Sequence, residues 1–174
     1  MVEAELRVPS SHLLIRCATP ADVATIHASM LALARFIGEE HKIRSQPVDL
    51  AKHMFGDDPA ISGLVAEIAG EYAGMCLYFR SFSTWHGRIG VYVQDLWVEE
   101  RFRGAGVGEA LLQRCAALTR ADGGTYMRLA VDVRNLGAQK FYSRLGLVHY
   151  DDDQIRAAYD DAFQALADGD KREA

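Results

Sequence analysis

Three glycines stand within five positions, at Gly104, Gly106 and Gly108, immediately before an apolar run with helical spacing. Glycine costs helix stability relative to alanine, so bare backbone here indicates a requirement other than helix formation. The stretch follows a predicted strand and opens a predicted helix, where unpaired N–H groups and the positive end of the helix dipole attract an anion. The spacing favours a phosphate-binding loop, and a close packing point between strand and helix is the alternative.

Two common nucleotide-binding loops do not fit this spacing. A dinucleotide fingerprint requires G-x-G-x-x-G, but the third residue after Gly106 is Glu109. A Walker loop ends in Lys followed by Ser or Thr, whereas Gly108 is followed by Glu109 and Ala110. The stretch does match R-x-x-G-x-G, with Arg103 as its first residue. A plain nucleotide domain is therefore disfavoured, and a different phosphate-bearing ligand is indicated.

A second pattern, N-x-x-A-x-x-F-Y-x-x-x-G-[FL], begins at Asn135, where a predicted strand gives way to a helix. Its tyrosine, Tyr142, lies seven residues later, which is two turns along that helix. Phe141 and Tyr142 share the apolar stripe of the helix, and a tyrosine on such a stripe more often belongs to the core. A core role and a chemical role for Tyr142 therefore both stand.

The two patterns, in this order and spacing, resemble the motifs of the GNAT superfamily of N-acetyltransferases. Further segments resemble its spermidine/spermine (diamine) branch over most of residues 13–150. These segments are PADVATIHASMLALARF, MFGDDP followed by LVAEI, and YFRSFSTWHGRIGVYVQDLWVEERFRGAGVG.

The resemblance implies that acetyl-CoA is the co-substrate and that its acetyl group passes directly to an amine. The loop residues expected to hold it are Arg103, Gly104, Ala105, Gly106, Val107, Gly108 and Glu109. The downstream residues expected to contact it are Asn135, Ala138 and Tyr142. In this family the tyrosine hydroxyl faces the CoA sulfur. A tyrosine with its ordinary pKa of about 10 can protonate or hydrogen-bond a leaving thiolate whose thiol has a pKa of about 8.5.

The strand VQDLWV, residues 93–98, is where the family splays its sheet. The resemblance implies that Leu96, Trp97 and Val98 run beside the pantetheine arm and that a backbone N–H there stabilises the oxyanion. The diamine branch has an acid immediately before the aspartate, but this chain has Gln94, whose amide cannot accept a proton. Asp95 is then a candidate base, and a purely structural acid is the equal alternative.

Glu39, Glu40 and His41 follow the first predicted helix and are further candidates for contact with the amine. A solvated helix end is the commoner use of such a charged run. Removal of the amine proton then falls to this group, to Asp95 or to solvent. The six histidines show no paired ligand spacing, so no metal is expected.

The chain has 174 residues, a formal net charge of −5 and 49 % apolar residues. This balance is typical of a soluble globular protein, and the negative charge disfavours nucleic-acid and membrane-surface partners while favouring a cationic substrate. The N-terminus lacks the apolar core of a secretory signal, and no apolar run approaches the length of a membrane span. The three cysteines, Cys17, Cys76 and Cys115, are expected to be buried reduced thiols. A cytoplasmic protein is predicted.

These residues require a scaffold of alternating strands and helices. The hydrophobic pattern predicts strands at HLLIRCA, GLVAEIA, YAGMCLYF, IGVYVQDLWV, TYMRLAVDV and GLVHY. It predicts helices after Pro20, from Pro47 to Phe55, after the glycine loop and over LGAQKFYSRL, whereas QIRAAYDDAFQALA is ambiguous. The sum is one mixed α+β domain over residues 1–174, with a core at roughly 12–167 and a frayed tail at each end. The resemblance implies a splayed, mostly antiparallel sheet of six to seven strands with about four helices.

The sequence therefore predicts an acetyl-CoA-dependent N-acetyltransferase for the primary amine of a small cationic substrate, either a di- or polyamine or a basic amino acid. An acetyltransferase for a protein lysine, an amino terminus or an antibiotic amine is the first alternative. A non-catalytic acyl-CoA sensor is the second, because Gln94 replaces the expected acid. The family is often dimeric, so the resemblance also implies a homodimer.

Overall fold

A computed structural model describes residues 13–151 and 154–169, so the predicted N-terminal tail and most of the C-terminal one lie outside the described residues. The strands are β1 (Leu13–Cys17), β2 (Ser62–Ile68), β3 (Glu71–Ser83), β4 (Arg88–Val98) and β5 (Met127–Leu129). The helices are α1 (Val23–Phe36), α2 (Pro47–Phe55), α3 (Val107–Ala121), α4 (Leu136–Arg144) and α5 (Asp160–Asp168).

The strands form one sheet in the order β1-β2-β3-β4-β5. Neighbouring strands from β1 to β4 are antiparallel, whereas β5 lies parallel to β4. The hairpin between β2 and β3 turns at Ala69 and Gly70, whose φ angles are 52° and 80°, as in the two-residue turns that join antiparallel strands. The mixed, mostly antiparallel sheet confirms the predicted fold class.

Helices cover both faces of the sheet. Ile26 of α1 belongs to the same buried cluster as Met75 of β3. Leu111 of α3 clusters with Cys76 and Val93 on the opposite face. Successive strand residues face opposite sides, so Met75 and Cys76 enter different cores. None of the helices in the described ranges is both long and apolar enough to cross a bilayer.

Local sequence accounts for the starts of α1 and α2. Thr19 and Asp22 form a capping box around Pro20. Asp22 also binds the guanidinium of Arg16 in β1 at 2.7 Å, which ties the helix start to the sheet. The prediction of a second helix over Pro47–Phe55 is confirmed to the residue.

Two strand predictions need correction. Residues 146–150, predicted as the strand GLVHY, pair with no strand in the part of the chain that the structure describes. The predicted strand TYMRLAVDV shortens to β5, since a strand needs a ladder partner and β4 pairs with only three residues there. The described residues therefore form five strands rather than six or seven. They form five α-helices rather than about four, because α5 arises within the ambiguous segment.

The cysteines also differ from expectation. Cys76 and Cys115 are buried, but Cys17 is exposed, and all three are free. Cys17 ends β1, which is an edge strand of the sheet that residues 13–151 and 154–169 form. Burial of all three thiols was therefore a wrong prediction for Cys17.

Candidate active site

A β-bulge interrupts β4 at Gln94. Leu77 of β3 pairs with Asp95, and the next residue, Tyr78, pairs with Val93, so Gln94 has no counterpart across the ladder. Bulges re-aim side chains and end regular pairing. The bulge therefore separates the two halves of β4 at the pair of residues whose chemistry the sequence singles out.

The sheet opens on the other side of β4 at the same point. The last pair between β4 and β5 joins Val93 to Leu129, and residues 94–98 pair with no strand on that side within the described ranges. We call this opening between β4 and β5 the gap. It provides the splay that the resemblance implies.

Backbone groups of β4 face the gap. Glu99 donates its N–H to the carbonyl of Ala73 in β3 at 2.9 Å. The Val98 carbonyl instead accepts a bond from Arg103 Nε at 3.2 Å, on the side away from β3. Because peptide groups alternate sides along a strand, Leu96 and Val98 turn their N–H and C=O groups toward the gap.

The side chain of Asp95 is half-buried and makes no hydrogen bond with any residue that the structure describes. Burial raises the pKa of its carboxyl to about 6. Its oxygens still reach solvent, because Glu39 Oε2 is the buried side-chain oxygen without a partner in the described residues. A structural acid is normally paired within the protein, whereas this carboxyl is partly desolvated and accessible. The geometry therefore favours a functional carboxyl over a structural one at this position.

Gln94 is exposed, and its side chain makes no hydrogen bond to another described residue. It lies beside Asp95 at the bulge, where the diamine branch has an acid. The amide can hydrogen-bond a substrate or water but has no useful basicity. Asp95 is consequently the carboxyl that this part of β4 offers.

Tyr142 is half-buried on α4, packed against the α3 side of the core, with its ring centroid 5.2 Å from that of Phe141. Burial raises its pKa to about 12, and the nearby Cys76 acts in the same direction. The sequence-based expectation of an ordinary pKa of about 10 for Tyr142 is therefore wrong, and burial is the reason. The phenol stays protonated at physiological pH, and no other described residue hydrogen-bonds its hydroxyl.

Cys76 is the common neighbour of the two candidate groups. Its thiol is fully buried on β3, opposite Leu96. A hydrogen bond with Cys115, burial and the nearby charge of Asp95 all raise the pKa of Cys76. Leu96, opposite Cys76, packs in the same cluster as Tyr142. Asp95 instead pairs with Leu77, which belongs to the cluster on the other face. Nothing in the local sequence of Cys76 indicated this position.

The glycine loop presents free backbone donors. Gly104 and Gly106 have φ angles of 79° and 82°, which glycine adopts without strain. The first bond of α3 joins Ala110 N–H to the Gly106 carbonyl at 3.0 Å. Within the described residues the N–H groups of Gly106, Val107, Gly108 and Glu109 have no acceptor. These donors at a helix N-terminus form a cradle suited to a phosphate group.

Gly108 serves packing as well. A Cβ at this position would lie 3.3 Å from Cζ of Phe141 and 3.5 Å from Cγ2 of Val98. The start of α3 thus approaches both α4 and β4 closely. The packing alternative holds for this glycine, whereas Gly104 and Gly106 are required by backbone conformation.

Two predicted cofactor residues are engaged within the protein. The Arg103 guanidinium lies 4.8 Å from the Phe36 ring centroid and 4.7 Å from that of Trp97. Asn135 caps α4, since its Oδ1 accepts the Ala138 N–H at 3.0 Å. Their side chains therefore shape the loop and the helix, and contact with CoA stays a prediction for both.

The acidic residues after α1 already hold cations of the same chain. Glu39 binds Lys42 at 2.6 Å and Arg134 at 3.0 Å, and both contacts lower the pKa of its carboxyl. Glu40 binds Arg35 at 2.7 Å. Sequence reasoning missed Arg134, which joins the loop after α1 to the loop before α4. An amine substrate would have to share or displace these partners.

Comparison with known proteins places the chain in a family. The sequence matches the acetyltransferase (GNAT) family over residues 28–147. Thialysine N-epsilon-acetyltransferase of Bos taurus is 33 % identical over 141 residues, covering 76 % of this chain and 82 % of that protein. Spermidine/spermine N(1)-acetyltransferase-like protein 1 of Homo sapiens is 25 % identical over 105 residues, covering 56 % of this chain and 15 % of that protein.

The fold has close counterparts among solved structures. An integron cassette protein from the mobile metagenome of V. cholerae superimposes with a TM-score of 0.75 at 18 % identity, covering 91 % of this chain and 99 % of that chain. At this identity the likeness supports the fold alone. Together with the sequence match over residues 28–147, it leads to one conclusion: the chain belongs to the acetyltransferase (GNAT) family.

Proposed function

We propose that this protein transfers the acetyl group of acetyl-CoA to the primary amine of a small basic molecule. The observation that carries the proposal is Asp95, a half-buried carboxyl without a hydrogen-bond partner in the described residues, beside the bulge where β4 leaves β5. A fold that keeps such a costly group at an opening of the sheet has a use for it there.

Asp95 accepts the proton of the amine. The amine nitrogen attacks the thioester carbonyl carbon only when its lone pair is free, so the ammonium form must lose a proton first. A carboxyl with a pKa of about 6 is ionised at neutral pH. Its pKa is also about 2 units closer to the pKa of an ammonium group than that of an ordinary carboxyl is. This lowers the free-energy cost of proton transfer from the ammonium group by about 3 kcal/mol.

A backbone N–H of β4 stabilises the oxyanion that forms at the carbonyl. Leu96 is the first residue after the bulge whose peptide group faces the gap. A fixed N–H donor lowers the barrier because it needs no reorganisation when the negative charge develops. The C–S bond then breaks, the amide product forms and the CoA thiolate departs.

Tyr142 hydrogen-bonds the departing thiolate. Its pKa of about 12 lies well above that of an ordinary thiol, so complete proton transfer from the phenol would be unfavourable. A protonated phenol is nevertheless a good donor to a thiolate. A hydrogen bond, rather than complete proton transfer, is therefore the role that we propose for Tyr142.

The names of the relatives guide the choice of acceptor. Thialysine N-epsilon-acetyltransferase, at 33 % identity, is named for an amino-acid side-chain amine, and the protein at 25 % identity is like an acetyltransferase named for polyamines. The net charge of −5 favours a cationic acceptor of either kind. Gln94 stands at the bulge where the diamine branch has an acid, so this chain lacks one negative charge there. We therefore place basic amino acids ahead of polyamines as acceptors.

The test is a thiol-release assay with acetyl-CoA and a panel of amines. The panel contains thialysine, lysine, diamines, polyamines, a lysine-bearing peptide and an aminoglycoside. We expect release of free CoA thiol with the small basic amino acids or diamines and little with the peptide and the aminoglycoside. Turnover confined to the peptide or the aminoglycoside would contradict the proposed acceptor class.

A second candidate function is a non-catalytic acyl-CoA sensor, which Gln94 favours. Calorimetric binding of CoA without turnover of any amine would support the sensor. Absence of CoA binding would contradict both functions. The unpartnered Asp95 carboxyl supports the enzyme, because a sensor gains nothing from an acid that destabilises its fold.

A further inference from the structure

Three side chains from separate elements meet at the start of the glycine loop. Arg103 places its guanidinium 4.8 Å from the Phe36 ring centroid and 4.7 Å from that of Trp97. The two rings meet edge to face, with centroids 6.2 Å apart. We call Phe36, Arg103 and Trp97 the arginine stack.

The exposure of Phe36 calls for an explanation. Its side chain is 57 % exposed although it ends α1, and burial therefore contributes little to its placement. A guanidinium over an aromatic face is attracted by the ring even at an exposed site. The cation is thus a main partner of this ring.

Further bonds hold the arginine stack in register. Arg103 Nε donates to the Val98 carbonyl at 3.2 Å. Trp97 Nε1 donates to Glu99 Oε1 at 3.0 Å, which fixes the indole. No carboxylate in the described residues lies within ion-pair distance of Arg103. Aromatic faces and a backbone carbonyl therefore determine where its guanidinium lies.

Each member of the arginine stack belongs to a part of the proposed site. Arg103 begins the glycine loop, whose free N–H groups start at Gly106. Trp97 lies in the half of β4 that borders the gap. Phe36 precedes Gly38, where a φ of 76° turns the chain into Glu39 and the rest of the loop after α1. The arginine stack therefore connects the glycine loop, expected to bind CoA, to the loop after α1, which carries the candidate residues for the amine.

We propose that Phe36 is a positioning residue that couples acetyl-CoA binding to amine binding through Arg103. The inference rests on the proposed function. A ligand bound by the glycine loop acts on Arg103, which contacts Phe36 at the start of the loop after α1. We expect this coupling to be positive, and by linkage each ligand then raises the affinity for the other by the same factor.

The test measures CoA affinity by calorimetry in the absence and presence of a saturating acceptor amine. In the unmodified protein we expect the amine to raise CoA affinity by about two- to fivefold, in line with the strength of one exposed cation–aromatic contact. Phe36→Ala should weaken CoA binding and abolish the increase. Phe36→Tyr keeps the ring and should retain both. Phe82→Ala removes a ring that is 61 % exposed outside the stack and should change neither.

A double-mutant cycle provides the second measurement. If the arginine stack acts as a unit, Phe36→Ala should weaken CoA binding much less in an Arg103→Ala background than in the unmodified protein. Additive effects, or an unchanged CoA affinity in Phe36→Ala, would overturn the inference and leave the proposed function intact. Failure of the unmodified protein to bind CoA would overturn both.

Discussion

At the residue scale, the ionised carboxyl of Asp95 lowers the stability of the fold but is the form that can accept a proton from the amine. Burial raises its pKa from 3.8 to about 6 in the folded chain. Between these two pH values the folded state binds more protons than the unfolded state, so stability falls as pH rises from about 4 to about 6. Above that window the ionised carboxyl is a constant cost to the fold, and there it is ready to accept a proton.

Asp95→Asn should therefore stabilise the protein while reducing turnover. We expect the free energy of unfolding at pH 7.5 to rise by up to about 3 kcal/mol, with no gain below about pH 4. Denaturant unfolding at the two pH values measures this change. A loss of stability at pH 7.5 would instead identify a structural acid.

The pH profile of the same variant tests the base. In the unmodified enzyme kcat/KM should rise with pH through an ionisation near 6, because the carboxylate form accepts the proton. Asp95→Asn should lower kcat by about a hundredfold or more and lose that ionisation. If the Asp95→Asn variant still shows the rise of kcat/KM near pH 6, the ionisation belongs to another group.

Tyr142→Phe removes the hydroxyl proposed to stabilise the thiolate. We expect kcat to fall by about tenfold to a hundredfold with CoA affinity changed less than twofold, since the lost bond forms only as sulfur gains charge. Tyr78→Phe is the matched control, because Tyr78 is also half-buried against the same core and burial raises its pKa to about 12 as well. Equal losses in the two variants would indicate a packing effect.

At the element scale, the two ends of α3 provide a matched pair of glycines. Gly106 precedes the helix with a φ of 82°, and Gly123 follows it with a φ of 81°. Neither has an atom within 4 Å of where a Cβ would stand. Alanine at either position therefore meets no clash, and the same backbone strain costs about 1–2 kcal/mol at each.

Gly106→Ala should raise the KM for acetyl-CoA by about tenfold, because relief of the strain turns the N–H donors of the loop away from the phosphate. Gly123→Ala should lower the melting temperature about as much as Gly106→Ala does, but it should leave the KM for acetyl-CoA unchanged. Steady-state kinetics and thermal unfolding of both variants measure this. Equal KM values would show that the loop does not hold the pyrophosphate.

At the scale of the whole molecule, the C-terminal segment leaves apolar side chains uncovered. Six of them are exposed in the single chain. They are Val148, Tyr150, Ile155, Tyr159, Phe163 and Leu166. The predicted strand at 146–150 lacks a ladder partner in this part of the chain. We expect a second copy to cover this segment, in keeping with the homodimer that the family resemblance implies.

Light scattering after size exclusion should accordingly report a dimer. The double substitution Phe163→Ser and Leu166→Ser on α5 should shift the protein to a monomer, because it removes apolar area from the contact. Val48→Ser alters an exposed apolar residue on α2 and should leave the dimer intact. A monomeric unmodified protein, or a dimer that survives the double substitution, would contradict this assembly.

Local chemistry accounts for what the sequence determined by itself. The helix over Pro47–Phe55 and the glycine loop before α3 were predictable, because each depends on residues close together in the chain. The order and spacing of two motifs were enough to indicate the family. Gln94 and Asp95 could be named as the site of interest for the same reason.

Only the tertiary structure decided what the named residues do there. The bulge at Gln94, the burial of Asp95 and the place of Arg103 between Phe36 and Trp97 depend on strands and helices far apart in sequence. The absence of a strand at 146–150 in the described residues has the same origin, since hydrophobic alternation cannot specify a ladder partner. Burial and pairing are properties of neighbours, and neighbours are assembled only by the fold.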